Sequence, residues 1–225
     1  MAHPAAVLDI DGTLVDTNYH HSIAWFRALR DHGALVPLWR IHRHIGMGGD
    51  QIVPALVDDE FDERCGEQVR SAESELYADM IDEVEPLPGA RDLIAELHER
   101  GHAIVLSSSA KEEEVEHYVE LLDVGDLIDG YTTSADVDRT KPEPDLVEAA
   151  LESVRRSSDG GESPAAVFIG DSVWDCKAAR RAGLQMIGLL TGGFGAQELL
   201  DAGAAIVLEN AERLRCELGK TPLTA

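Results

Sequence analysis

The chain of 225 residues is long enough for one domain, or for a core domain with a smaller insertion. Its 43 acidic and 19 basic residues give a formal net charge of −24, which argues against nucleic acid and anionic membranes as partners. We find no apolar run of membrane-spanning length, no evident signal peptide, and no cysteine spacing typical of a metal site or a disulfide framework. These features predict a cytoplasmic protein.

The first predicted strand, Ala5–Leu8, ends in two carboxylates, Asp9 and Asp11, and a Gly12-Thr13 pair follows. A short apolar run bounded by a turn signal is typical of a buried strand, and ligands bind at the carboxyl ends of strands in open α/β sheets. Because one apolar residue separates the carboxylates, both could leave the strand on the same side. Two close carboxylates repel each other, so the pair indicates a Mg²⁺ site. One carboxylate could then act as a nucleophile and the other as acid and base.

The stretch between Val15 and Glu85 contains helical patterns and no strand pattern. Residues 16–85 are therefore expected to form a helical cap, and residues 1–15 with 86–225 to form the core. The helices predicted in the cap cover Asn18–Gly33, Pro37–His44, Gln51–Val57 and Arg64–Glu83.

Predicted strands and helices alternate from Pro86 onward, which indicates parallel βαβ units. The first strand must join the same sheet, and right-handed crossovers would place helices on both faces. The expected fold class is α/β, a Rossmann-like three-layer core with a parallel sheet and an inserted α-helical cap. The predicted core elements are strands His102–Leu106, Gly130–Thr133, Ala165–Ile169, Gln185–Leu190 and Ala205–Leu208, helices Ala90–Arg100, Glu112–Leu122, Pro142–Val154, Val173–Ala182, Gln197–Ala202 and Ala211–Leu218, and a surface loop over Arg155–Pro164.

Polar residues also follow later apolar runs and turns. Ser107 and Ser108 end the second strand, where a hydroxyl and a backbone N–H could hold a phosphate oxygen. Lys141 precedes a proline-marked helix start and could balance charge between carboxylates and a phosphate, although a lone lysine is usually a surface charge. Asp171 is a candidate metal ligand, whereas Asp175, one helical turn later, could equally be a charge at a helix N-terminus.

Over nearly its whole length the sequence resembles the haloacid dehalogenase superfamily of phosphotransferases, in the branch with a helical cap that includes phosphoglycolate phosphatases and β-phosphoglucomutases. Each of the four motifs is weak alone, but together and in order they are specific. They are Asp9-x-Asp11-Gly12-Thr13, Ser107, Lys141-Pro142 and Gly170-Asp171-x-x-x-Asp175.

The resemblance implies a role for each matched residue. Asp9 would be the nucleophile that forms an aspartyl-phosphate, and Asp11 the general acid and then the base for water. Mg²⁺ would be held by the Asp9 carboxylate, the Asp11 backbone carbonyl and Asp171. The implied supporting and binding residues are Asp175 beside the metal, and Ser107, Ser108 and Lys141 around the phosphoryl group.

The expected function is that of a Mg²⁺-dependent phosphatase acting on a small phosphorylated metabolite, as a monomer or a homodimer. Asp11 argues against a dehalogenase, and the lack of lysine between positions 15 and 85 argues against a phosphonate hydrolase. A non-enzymatic regulatory descendant is disfavoured because all the motif carboxylates and Lys141 are present.

A sugar phosphomutase remains the alternative, because cap residues could bind a second phosphate or the sugar. Arg43 is the best candidate for such a contact, since a guanidinium binds an anion at two points. The neighbouring candidates in the cap are His42, His44 and the Gly46–Gly49 loop.

Overall fold

The computed structural model describes residues 3–157 and 165–224. Six strands in these ranges form one parallel sheet in the order β3-β2-β1-β4-β5-β6, which confirms the expected α/β fold. The strands are β1 (Ala5–Leu8), β2 (Ile104–Ser107), β3 (Gly130–Thr132), β4 (Ala166–Gly170), β5 (Gln185–Leu189) and β6 (Ile206–Leu208).

Helices of the core cover both faces of the sheet. Alternate residues of β1 are buried on opposite sides, with Ala6 and Leu8 in one hydrophobic cluster and Ala5 and Val7 in the other. This two-sided burial explains why the strands are continuous apolar runs. The core helices are α5 (Ala90–Glu99), α6 (Glu112–Leu122), α7 (Asp145–Ser157), α8 (Val173–Arg181), α9 (Ala196–Ala202) and α10 (Ala211–Glu217).

Four helices inserted between β1 and α5 build the cap around a hydrophobic cluster of their own, which includes Trp25, Leu29, Ile41 and Ile52. Val15 pairs with Pro86, so the two chain segments that join the cap to the core run side by side. The cap helices are α1 (Asn18–Asp31), α2 (Leu38–His42), α3 (Gly49–Leu56) and α4 (Asp59–Ala78). Within the described ranges no helix is both long and apolar enough to cross a membrane.

The largest differences from the predicted boundaries are in helices α4 and α7. Helix α4 begins earlier than predicted, because the Asp58 side chain accepts a hydrogen bond from the Phe61 backbone N–H (2.8 Å) and caps it. Helix α7 begins at Asp145 rather than at Pro142, so Lys141 lies in a turn, with a cis Lys141–Pro142 bond, rather than next to the helix. The helix continues to Ser157, which corrects the predicted loop over its first three residues; residues 158–164 of that loop lie outside the described ranges.

Candidate active site

The carboxyl ends of three neighbouring strands bring the motif residues together. Strand β1 lies between β2 and β4 in the sheet, so Asp9 after β1 stands between Ser108 after β2 and Asp171 after β4. Asp9 and Asp171 are 3% and 2% exposed. Topology therefore assembles a site from segments that are far apart in the sequence.

The tight turn after β1 brings the Asp9 and Asp171 carboxylates close together. Thr13 Oγ1 lies 3.1 Å from an oxygen of each carboxylate, and Asn18 Nδ2 donates to Asp171 Oδ2 at 3.0 Å. Gly12 has a positive φ of 74°, and a Cβ there would lie 2.4 Å from Asp171 Oδ2. The turn therefore needs glycine both for its conformation and for space.

Lys141 is buried against the carboxylates. Its Nζ pairs with Asp9 Oδ1 and lies 2.9 Å from Asp175 Oδ1. Burial alone would lower the pKa of Lys141, but the charges of Asp175 and Asp9 outweigh it and raise that pKa above its usual range. The ammonium is thus a permanent positive charge next to Asp9.

Asp175 has both of the roles considered from the sequence: it lies at the N-terminus of a helix, and it lies beside the candidate metal ligands. Its Oδ2 accepts from the Ser172 backbone N–H (3.0 Å) and hydroxyl (2.6 Å), which caps α8 at its start. Its other oxygen faces Lys141 and the carboxylate cluster. A helix-capping residue is therefore also part of the candidate metal site.

The residues present fit a divalent cation. One carboxylate oxygen each from Asp9, Asp171 and Asp175 lie within 4.8 Å of one another. Burial, and the charge of Asp175 next, raise the pKa of Asp171, and burial is likewise the main cause that raises the pKa of Asp9. Buried carboxylates this close need a counter-charge beyond Lys141, and Mg²⁺ prefers such oxygen ligands.

The Asp11 side chain belongs to a different group of contacts. It accepts from Thr17 Oγ1 (2.9 Å) and from Ser108 Oγ (3.0 Å), and it lies 3.6 Å from His21 Nε2. Burial alone would raise the pKa of Asp11, but His21 and the two hydroxyl donors outweigh it and lower that pKa. The carboxylate is thus held in its ionised form beside Asp9.

Sequence reasoning missed His21, which connects the cap to Asp11. His21 Nδ1 lies 2.9 Å from Glu73 Oε1 of α4, and the ring stacks on Tyr77 with centroids 3.7 Å apart. Burial alone would lower the pKa of His21, but the contacts with Asp11 and Glu73 raise it to about 10. The imidazole is therefore an imidazolium held between two carboxylates.

A cavity of about 300 Å³ lies between the cap and the core. Asp9, Asp11 and Lys141 line its core side, and Arg70 lines its cap side. The Arg70 guanidinium already pairs with Asp62 at 2.6 Å. The volume suits a small ligand. Other residues that line the cavity include His21, the Gly46–Gly49 loop, Asp50, Glu73 and Thr140.

The structure favours Ser108 over Ser107 as the hydroxyl at the end of β2. Ser107 is the last residue of the strand, is fully buried and does not line the cavity; within the described chain its Oγ has no hydrogen-bond partner. Ser108 Oγ instead contacts Asp11 and accepts from the Ala110 N–H. The expectation for Ser107 was displaced by one residue, because side chains alternate between the faces of a strand.

Arg43 does not reach the cavity, contrary to the sequence expectation. Its guanidinium pairs with Glu198 of α9 and lies 4.1 Å from the centroid of the Phe194 ring. His42 and His44 are likewise absent from the cavity lining, whereas the Gly46–Gly49 loop belongs to it. The cap docks onto α9 through this segment, and only the docked geometry shows which basic residue faces the cavity.

The chain matches, over residues 6–189, the family described as haloacid dehalogenase-like hydrolase. The chain belongs to this family. The expected superfamily is thereby confirmed, and the four motif positions lie within the matched range.

Similar proteins support the expected enzyme class, a phosphoric monoester hydrolase. Validoxylamine A 7′-phosphate phosphatase of Streptomyces hygroscopicus subsp. limoneus is 26% identical over 84% of this chain and 86% of its own. A hydrolase from Pseudomonas syringae has a TM-score of 0.86 at 30% identity, covering 97% of this chain and 98% of its own. β-Phosphoglucomutase from Clostridium difficile shares the fold, with a TM-score of 0.81 at 20% identity over 99% and 97% of the two chains.

Proposed function

We propose that this protein is a Mg²⁺-dependent phosphatase that hydrolyses a small phosphate monoester through an aspartyl-phosphate on Asp9. The observation that carries the proposal is the placement of Asp9 between Lys141, the candidate metal ligands and the cavity, with Asp11 on the cavity wall. The relatives named as phosphatases, one of them for a 7′-phosphate and another for phosphoglycolate, support the same reaction.

In the first step the Asp9 carboxylate attacks phosphorus, and the bond from phosphorus to the ester oxygen breaks. That oxygen takes the bonding electrons and a proton from Asp11. Asp11 can donate this proton only in its carboxylic acid form. Its pKa is lowered in the structure without substrate, and the negative charge of a bound phosphate beside Asp11 raises that pKa towards the protonated form. Lys141 neutralises charge on the phosphoryl oxygens as the bond breaks.

In the second step Asp11, now ionised, takes a proton from a water molecule that attacks the aspartyl-phosphate. The bond from phosphorus to Asp9 breaks, which restores the carboxylate and releases phosphate. The Thr17 and Ser108 hydroxyls hold the Asp11 carboxylate in position for both transfers. The contacts that lower the pKa of Asp11 keep its carboxylate ionised, which is the form that can accept a proton.

The residues that would hold Mg²⁺ are Asp9, Asp171 and Asp175, with the Asp11 backbone carbonyl as implied by the family motif. When bound, the ion supplies positive charge that offsets the repulsion between the phosphoryl group and the Asp9 carboxylate. Thr13 and Asn18 orient Asp171 for this task through their hydrogen bonds.

Hydrolysis is favoured over mutase chemistry by the charges on the cap side of the cavity. A mutase must hold a second phosphate away from Asp9, which requires an available cation, and on the core side of the cavity Lys111 is such a cation. The comparison therefore concerns the cap side, where the family alternative expects a phosphate contact. Among the described residues that line the cavity, the cap supplies His21 and Arg70. Carboxylates already engage both, Asp11 and Glu73 at His21 and Asp62 at Arg70.

The test is an assay of phosphorylated metabolites and p-nitrophenyl phosphate with Mg²⁺, with EDTA, and with Mg²⁺ restored. The proposal expects release of inorganic phosphate that EDTA abolishes and Mg²⁺ restores. Full activity in EDTA would reject the metal role. Conversion of β-glucose 1-phosphate to its 6-phosphate, without phosphate release, would favour the mutase instead.

A further inference from the structure

One contact between the cap and the core is made next to Lys141. Asp50, in the first turn of α3, accepts from the Thr140 backbone N–H at 3.1 Å through Oδ2. Its Oδ1 accepts from Thr140 Oγ1. These are charge-assisted hydrogen bonds from the residue that directly precedes the buried lysine.

The loop before α3 is shaped to allow this contact. A Cβ on Gly48 would lie 2.0 Å from Thr140 Oγ1 and 2.5 Å from Thr140 Cβ. The φ of Gly48 is −77°, an ordinary value for any residue, so glycine is needed here for space rather than for conformation. The cap thus approaches the core at Thr140 as closely as the backbone permits.

We infer that Asp50 and Thr140 form a latch, made when the cap closes, that positions Lys141 against Asp9 and Asp175. The inference rests on the proposed function. Thr140 and Lys141 are bonded neighbours, and both are packed, at 5% and 1% exposed, so a shift of the Thr140 backbone is transmitted to Lys141. When the cap opens, Thr140 loses both Asp50 carboxylate oxygens as hydrogen-bond acceptors. The turn that carries Lys141 is then no longer held by the cap.

The latch gives cap closure a direct consequence for chemistry. Asp50 and Thr140 both line the cavity, and closure at this point shields Asp9 and Lys141 from solvent. Closing segments that complete a site also commit the bound substrate. Asp50 and Thr140 are therefore positioning residues, since they act through Lys141 rather than on the substrate.

A second contact between cap and core provides a matched control. Arg43 of the cap pairs with Glu198 of α9, in a partly exposed position away from the Lys141 turn. Glu198→Gln weakens cap docking without touching Thr140. A general role of cap docking predicts equal effects at the two contacts, whereas a latch on Lys141 predicts a selective effect at Thr140.

The kinetic test compares Thr140→Val, Thr140→Ser and Asp50→Ala with Glu198→Gln. We expect Thr140→Val and Asp50→Ala each to lower kcat about ten-fold with little change in KM, and the double variant to lose little more. Thr140→Ser keeps the hydroxyl and should retain near-wild-type kcat. Equal losses in Thr140→Ser and Thr140→Val, or additive losses in the double variant, would overturn the inference.

A second kinetic experiment tests the close approach of Gly48 to Thr140. Gly48→Ala should impair kcat in the wild-type background through its clash with Thr140, but should cause no further loss in the Thr140→Gly background, where the clashing atoms are gone. A loss from Gly48→Ala that is equally large in both backgrounds would overturn the inference.

Hydrogen–deuterium exchange keeps the inference testable without turnover. In Thr140→Val, faster exchange is expected in both segments 46–50 and 138–142, with β1 and β4 unchanged; Glu198→Gln should leave segment 138–142 unchanged. Unchanged exchange at 138–142 in Thr140→Val would overturn the latch. This readout does not require catalysis, so failure of the latch and failure of the phosphatase proposal remain distinguishable.

Discussion

The core and cap sides of the cavity hold their charges in different ways. On the core side, Lys141, Asp9 and Asp175 are at most 4% exposed in their side chains. On the cap side, the Arg70–Asp62 pair has side chains that are 33% and 24% exposed.

The difference sets the scale of the expected effects. Removing one partner of a buried charge pair leaves the other uncompensated, at a cost of about 3–5 kcal/mol. An exposed pair contributes about 0–1 kcal/mol. Substitutions in the buried core-side cluster are therefore expected to cost far more than substitutions in the exposed Arg70–Asp62 pair of the cap.

The largest effect among the variants that sharpen this comparison is expected for Asp11→Asn. Loss of a general acid and base lowers rates by about 10²–10⁴-fold. The loss should be greatest for alkyl phosphates, whose leaving oxygen needs a proton, and smaller for p-nitrophenyl phosphate. Steady-state kinetics with both substrates measures this split, and equal losses would contradict the acid role.

The next largest effect distinguishes the two serines after β2. Ser108→Ala removes a hydrogen bond to the Asp11 carboxylate and should lower kcat/KM by about 10- to 100-fold, since such a bond contributes about 1.5–3 kcal/mol. Ser107→Ala should change kcat/KM by less than about two-fold, because its hydroxyl makes no contact with Asp11 or the cavity. A larger loss in Ser107→Ala than in Ser108→Ala would reverse the assignment.

His21→Gln tests the connection between the two sides through the pH dependence of stability. The pKa of His21 is raised in the folded protein, from about 6.5 when unfolded to about 10. The contribution of His21 is therefore complete below pH ~6.5 and is lost as pH rises towards ~10.

Urea unfolding at several pH values should show a difference between wild type and His21→Gln that shrinks over this window. His20→Gln is the matched control, because His20 contacts only the Asp16 carbonyl among the contacts described for it. A difference for His21→Gln that grows with pH would contradict the imidazolium assignment.

The smallest effect is expected for Arg43→Ala. Its pair with Glu198 is partly exposed and outside the cavity, so kcat/KM should fall by less than about five-fold for every substrate. Arg40→Ala, in helix α2, which ends directly before Arg43, is a suitable control. A selective loss for substrates with a second anionic group would restore the substrate-binding role first expected for Arg43.

The sequence predicted the core of the site because its information is local. Asp9, Lys141 and Asp171 each follow a strand or turn that short-range patterns reveal, and parallel topology brings such ends together. The domain division at residues 15/16 and 85/86 stays a prediction. Ser107 was named as the motif serine, with Ser108 as a second binding candidate, because a pattern places a strand end only to within a residue or two.

The missed residues depend on how the cap docks. His21 meets Glu73 across 52 positions of sequence, and Asp50 meets Thr140 across 90. Nothing local distinguishes His21 from His20, because only the packed helix shows which face meets the core. The position of the Arg43 side chain was equally unpredictable, because it depends on the contact that Arg43 makes with Glu198 of α9.

The most direct test of the account is to locate the phosphoryl group during turnover. Rapid mixing with p-nitrophenyl phosphate and Mg²⁺, an acid quench and peptide mass spectrometry should find one added phosphoryl group on Asp9. Its occupancy should be higher in Asp11→Asn, because water activation is slowed while this leaving group needs little protonation. Asp9→Asn should show neither the adduct nor turnover. Turnover by Asp9→Asn, or a phosphoryl group on a different residue, would contradict the account.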